Sequence, residues 1–162
     1  MLVLDTNVVL DLLHFGDAAA QPLLHALEAG RVRCVVTDAT LDEWRRVLAY
    51  PAFALDAARQ AVLFAHYVSL ALPVVSVGIP PELPHKRTPS HDGLKPVRSR
   101  MPRCSDPDDQ KFLELAAYAQ AQILVSKDRA LLKLRCRCAP DFQILTPAGA
   151  ARWLSGQPAC CG

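Results

Sequence analysis

The chain has 162 residues, of which 51% are apolar and 21% charged; this excludes a disordered chain and fits one domain with a sizeable core. A formal charge of +2 makes the molecule as a whole neither strongly basic nor strongly acidic. No apolar stretch approaches the ~20 residues that span a bilayer, and the N-terminus lacks both a basic region before its apolar run and a small-residue cleavage site behind it, so a soluble, cytoplasmic protein without a membrane partner is expected.

In chain order, Val3–Leu4 reads as a first strand that ends at Asp5. Thr6 or Asn7 is expected to cap a short helix carrying Val8, Val9, Leu12 and Leu13. Asp17 caps a second helix with Leu23, Leu24 and Leu27 on one face, and Gly30 ends it. The β-branched run from Val32 to Val36 is a second strand. Thr37 or Asp38 then caps a third helix with Leu41, Trp44 and Leu48 as its apolar stripe and Glu43 off it, and Pro51 stops it. Residues 56 to 70 form an amphipathic helix with Val62, Leu63, Tyr67 and Leu70, and residues 73 to 77 a further strand.

From Gly78 to Arg103 regularity fails, because six prolines forbid a long helix or a central strand. Order returns at Asp106-Pro107, a helix start with its cap and a proline at the first position. That helix carries Phe112, Leu115, Ala116 and Ala119. A strand over 123–126, a short helix with Leu131, Leu132 and Leu134, a strand over 142–145 and a helix opened by Thr146-Pro147 complete the chain. Strands alternating with helices predict an α/β fold, a three-layer sandwich with a central parallel sheet of four to five strands and helices on both faces. The expected organisation is a single domain over residues 1–154 with a Pro-rich basic insertion at about 78–103, and a frayed tail at 155–162.

The acids are the chemically informative feature. Asp5 and Asp128 each follow a strand, and the carboxyl ends of strands in a parallel sheet lie along one edge, where such sheets bind ligands. Asp106 and Asp109, three residues apart, share a helix face, and Glu43 on the third helix can reach the same edge. Carboxylates drawn together in this way repel, and a hard divalent cation removes the conflict. Oxygen-only ligands suit Mg²⁺ or Mn²⁺ rather than zinc, and ions of this kind activate water and stabilise the leaving oxygen of a phosphodiester. Asn7 and Ser126 are expected to orient the carboxylates by hydrogen bonds. No phosphate loop G-x-x-x-x-G-K and no G-x-G-x-x-G is present, which removes support for nucleotide-cofactor folds.

Basic residues fall in two groups. Lys86, Arg87, Lys95, Arg98, Arg100 and Arg103 lie in the Pro-rich segment, and Lys127, Arg129, Lys133, Arg135 and Arg137 follow the 123–126 strand. Either a solvated surface or a footprint for a phosphate backbone accounts for them. Lys127, Arg98, Arg100 and Arg103 are the candidates for substrate contact. The six cysteines are expected to be free thiols, with Cys34 a small buried hydrophobe, since neither Cys136-Arg137-Cys138 nor Cys160-Cys161 has the spacing of a zinc site.

Taken together, Leu4-Asp5-Thr6-Asn7-Val8, Thr37 to Glu43, Asp106 to Ala116, Ile123 to Asp128 and Ile144-Leu145-Thr146-Pro147 resemble the PIN domain, a family of metal-dependent ribonucleases, over residues 1–77 and 104–154. Their order and spacing look most like the branch of toxin components of bacterial toxin–antitoxin systems. The resemblance implies Asp5, Glu43, Asp109 and Asp128 as the catalytic acids, with Asp106 a near neighbour able to assist Asp109 in holding metal. It further implies Mg²⁺ or Mn²⁺ as cofactor, RNA as substrate, a homodimer and a small protein antitoxin as partner. Lys127 stands where this branch often has glycine, and the 78–103 segment is longer than the branch leads one to expect. An inactive PIN-like binding module is the alternative. A phosphatase of the haloacid-dehalogenase type is disfavoured, because Asn7 occupies the place of its second aspartate.

Overall fold

The computed structural model of the chain describes residues 1–74, 101–139 and 141–156. Its strands are short and apolar on both faces: β1 is Leu2–Leu4, β2 Cys34–Val36, β3 Ala71–Pro73, β4 Ile123–Val125 and β5 Gln143–Leu145. All pairings are parallel, in the order β3-β2-β1-β4-β5. Side chains alternate across a strand, and here the alternation sorts the core into two layers. Leu2, Leu4, Cys34, Val36, Ile123 and Val125 face one side, while Val3, Val35, Leu124 and Ile144 face the other.

The first layer is covered by α1 (Thr6–Leu10), α2 (Gln21–Glu28), α3 (Asp38–Leu48), α4 (Ala57–Leu70) and α8 (Pro147–Leu154). The second is covered by α5 (Gln110–Tyr118), α6 (Arg129–Leu132) and α7 (Arg135–Cys138). Trp44, Leu48, Leu63 and Tyr67 seal the first layer, and Phe112, Leu113, Leu115 and Leu131 the second; all are 3% exposed or less. Each large side chain buried in this way contributes roughly 1.5–3 kcal/mol of transfer free energy. The result is the expected α/β sandwich, built on a five-stranded parallel sheet.

Topology places the site. From β1 the chain moves outward through β2 to β3, then returns to the opposite side of β1 to form β4 and β5. The strand order therefore reverses between β1 and β4, and the crevice beyond the carboxyl ends of those two strands is where open α/β sheets take their ligands. The Asp5 N–H donates to the Val125 carbonyl (3.0 Å) and the Ser126 N–H to the Leu145 carbonyl (2.9 Å), which keeps these strand ends in register.

Several local expectations need correction. Asp5 itself caps α1, its side chain accepting from the Asn7 N–H, so neither Thr6 nor Asn7 has that task. Asp17 does not cap α2; it closes the preceding turn by accepting from the Ala19 N–H (2.8 Å). Gly30 does follow α2 in the left-handed region at φ 66, where a side chain would be strained. Thr37 caps α3 reciprocally with Thr40. Val62 is 57% exposed and lies off the buried stripe of α4, which is Leu63 and Tyr67. The third strand begins earlier than expected, directly at the end of α4, and Pro73 sits on an edge strand, which tolerates a missing N–H. Asp106-Pro107 opens a 3-10 turn, Pro107–Asp109, and the α-helix starts only at Gln110. Most of the Pro-rich segment and the end of the tail lie outside the described residues. Among the described residues no helix is long and apolar enough to cross a membrane.

Candidate active site

Asp5 is a buried carboxylate, 1% exposed, at the end of the central strand. Its Oδ2 accepts a 2.6 Å hydrogen bond from the Ser126 hydroxyl, and its Oδ1 accepts from the Asn7 N–H at 3.4 Å. The same Ser126 hydroxyl accepts from the Asp128 N–H (2.9 Å). A single serine at the end of β4 thus aligns the carboxylate after β1 with the turn that carries Asp128. Asn7 assists through its backbone, while its side chain is exposed. Asp128 caps α6, its Oδ1 accepting from the Ala130 N–H (2.5 Å) and the Leu131 N–H (3.4 Å). Asp106 is held similarly, accepting from the Asp108 N–H at 2.9 Å.

Asp109 is different: among the described residues its carboxylate has no hydrogen-bond partner, and it stands at the electrostatic centre of the acids. Burial, followed by the charges of Asp5, Asp128, Asp106 and Glu43, pushes its carboxyl up to about 7. Burial likewise raises Asp5, with Glu43 and Asp128 adding to the effect and the bonds from Ser126 and Asn7 opposing it. The five predicted acids, drawn from four separate segments of the chain, therefore share one field. The topology accounts for this. The 3-10 turn before α5 hangs over the crevice, and α3 starts at the carboxyl end of the neighbouring strand β2.

Two lysines engage carboxylates here in ways not foreseen. Lys111, on α5 two residues beyond Asp109, forms an ion pair with Oε2 of Glu43, an oxygen with no other partner among the described residues. Glu43 is half-buried rather than solvated. Lys127 pairs with Asp11 at 2.5 Å, not with Asp128. Asp11 is 4% exposed and begins a π-helical turn, Asp11–Phe15. Its signal in the sequence was an acid embedded in the apolar run Val8 to Leu13, since a buried carboxylate calls for a partner. Cys104 also borders the site: burial, then Asp109, Asp106 and Asp128, push its thiol up despite a backbone N–H from Asp106.

The donor set fits a hard divalent cation in kind and in charge. Asp5, Asp109 and Asp128 offer only oxygen, and repulsion among them is unrelieved at Asp109. Among the described residues, no three His, Cys, Asp or Glu side chains already stand at ligating distance from a common point.

Two open depressions carry basic residues. An open depression between α3 and α5 is lined by Ala39, Asp42, Arg45, Arg46 and Lys111. Another, on α6 and α7, is lined by Arg129, Leu132, Lys133, Arg135 and Cys136. Arg103 is described and exposed, whereas Arg98 and Arg100 lie outside the described residues. Cys34 is buried beside the Tyr67 hydroxyl (3.5 Å), as a small core residue, and Cys104, Cys136 and Cys138 are also free thiols.

No curated protein and no solved structure matches the chain. A family model described as PIN domain matches residues 1–130, a span that contains all five acids, both lysines and the sheet's switch point. PIN domains are generally nucleases, and PIN domain nucleases generally use divalent metals. By that match, and by the parallel sheet with its acids at the carboxyl edge, the chain belongs to the PIN domain family.

Proposed function

We propose that the protein is a metal-dependent endoribonuclease that hydrolyses RNA phosphodiester bonds. The observation that carries this reading is the convergence of Asp5, Glu43, Asp106, Asp109 and Asp128 on one crevice, with Asp109 left without a neutralising partner among the described residues. Asp5, Asp109 and Asp128, with Asp106 beside them, would hold Mg²⁺ or Mn²⁺. When bound, the ion supplies a water of lowered pKa and charge stabilisation for the leaving oxygen. The chain's own residues do the positioning. Ser126 and the Asn7 N–H fix Asp5, the α6 N–H groups fix Asp128, and the basic surfaces on α3, α5, α6 and α7 attract the phosphate backbone. The resemblance of these segments to the toxin branch of the family suggests a toxin of a toxin–antitoxin pair, a cytoplasmic homodimer restrained by a small protein antitoxin.

The test is cleavage of a mixed single-stranded RNA in Mn²⁺, Mg²⁺ and EDTA by wild type, Asp5→Asn and Asp109→Asn. Cutting that needs the ion and disappears in both variants establishes the mechanism. Cutting unaffected by either substitution overturns it.

A further inference from the structure

Among the described residues, Glu43 is the one acid of the five that is paired with a cation. Lys111 reaches it from α5, across the crevice, and both side chains are largely out of water, at 23% and 19% exposure. The Oε2 atom has no other partner among the described residues. The remaining acids are arranged otherwise. Asp5, Asp106 and Asp128 are held by a hydroxyl and backbone N–H groups, which orient a carboxylate without cancelling its charge. Asp109 has no hydrogen-bond or ion-pair partner among the described residues.

We propose that the Lys111 ammonium takes the place of a second metal ion at this site. It neutralises Glu43, keeps it from serving as a ligand and limits the protein to one divalent cation, held on the Asp5–Asp109–Asp128 side. The inference rests on the metal reading given above and adds its stoichiometry and the residue that sets it. The physical argument is competition for Glu43, whose charge the Lys111 ammonium already meets. A second divalent ion near Glu43 would have to displace an ammonium from a largely desolvated carboxylate, where the pair is far stronger than in water. Lys111 also lines the depression that contains Arg46 and the Arg45–Asp42 ion pair, which sets the ammonium between the acids and that depression.

Calorimetric titration of the purified, metal-stripped protein with Mn²⁺, with bound Mn²⁺ counted by electron paramagnetic resonance, tests the stoichiometry directly. Wild type is expected to bind one ion. Lys111→Met, which frees Glu43, is expected to bind two. The double variant Glu43→Gln, Lys111→Met removes both charges together and is expected to return to one ion, with an affinity within about threefold of wild type. This arm decides whether Glu43 is a ligand even where the single variant fails to fold. Two ions in wild type, or one ion in a folded Lys111→Met, would overturn the proposal, as would a tenfold or greater loss of affinity in the double variant, which would show that Glu43 is a ligand. No Mn²⁺ binding by folded wild type would instead sink the metal reading itself, and with it this inference. Intact binding that Asp5→Asn and Asp109→Asn leave unchanged would place the ion elsewhere, with the same consequence.

Discussion

The Ser126 hydroxyl donates to Oδ2 of Asp5 at 2.6 Å across 121 residues of sequence, and accepts in turn from the Asp128 N–H. One buried oxygen thereby joins the ends of β1 and β4, the two strands that flank the reversal of strand order. Replacing Ser126 by alanine leaves a buried carboxylate oxygen and a backbone N–H without partners. We expect Ser126→Ala to weaken Mn²⁺ binding by roughly 10–100-fold, the usual cost of losing a group that orients a metal ligand, while the fold is retained. Titration of Mn²⁺ against the variant measures this, and unchanged affinity would show that the hydroxyl only satisfies the strand ends.

Relief of repulsion gives Asp109→Asn a signature independent of catalysis. In the metal-free protein this carboxyl sits at about 7, against an ordinary value near 3.8. Between those values the folded chain holds a proton that the unfolded chain releases, so stability is greatest at the acid end of the window and falls as pH rises from about 4 to about 7. Burial of Asp5 acts in the same direction. Asp109→Asn removes one titrating group, so its melting temperature should vary less over that window than wild type and exceed it at pH 7.5. Melting curves in EDTA from pH 5 to 8 measure both effects. Identical pH profiles for the two proteins would rule out Asp109 as the strained acid.

Metal should reverse that slope. Ligands must be deprotonated to bind, so Mn²⁺ affinity is expected to rise from pH 5.5 to pH 7.5 with proton release on binding. Titrations in two buffers of different ionisation enthalpy detect the release. Affinity independent of pH would contradict a site centred on Asp109.

The Asp11–Lys127 pair anchors the turn that carries Asp128 to the π-helical turn after α1. Lys127→Met leaves Asp11 buried and unpaired. Removing one partner of a fully buried pair costs roughly 3–5 kcal/mol. Lys127 is 47% exposed, so solvent screening reduces the expected loss to about 1–2 kcal/mol. Urea denaturation measures it, and the double variant Asp11→Asn, Lys127→Met should recover most of the loss.

Arg98, Arg100 and Arg103 stand close together in the chain. If they bind the RNA backbone, neutralising all three should weaken single-stranded RNA binding and flatten its salt dependence by roughly 0.7 for each phosphate that no longer faces an arginine. Binding isotherms at several salt concentrations decide this. An unchanged slope would make them bystanders.

Local residue choice determined much of this protein. Apolar strand triplets, caps such as Thr37 and Thr146, and prolines at 51, 107 and 147 are short-range signals, and the structure keeps nearly all of those elements within a few residues. The placement of Asp5 and Asp128 at one edge of the sheet was also legible, because a carboxylate following a parallel strand has only one edge to occupy. Partnerships between distant residues were not legible. Nothing near Lys111 or Lys127 in sequence says which carboxylate each will neutralise; that depends on how α5 crosses α3, and on how the β4–α6 turn meets the π-helical turn. Asp5 illustrates the division. Its place at a strand end is written in four apolar neighbours, whereas its burial, its bond to Ser126 and its raised carboxyl arise only when a strand more than a hundred residues away is laid beside it. Desolvation and Coulomb repulsion depend on distance through space, and the tertiary fold alone sets those distances.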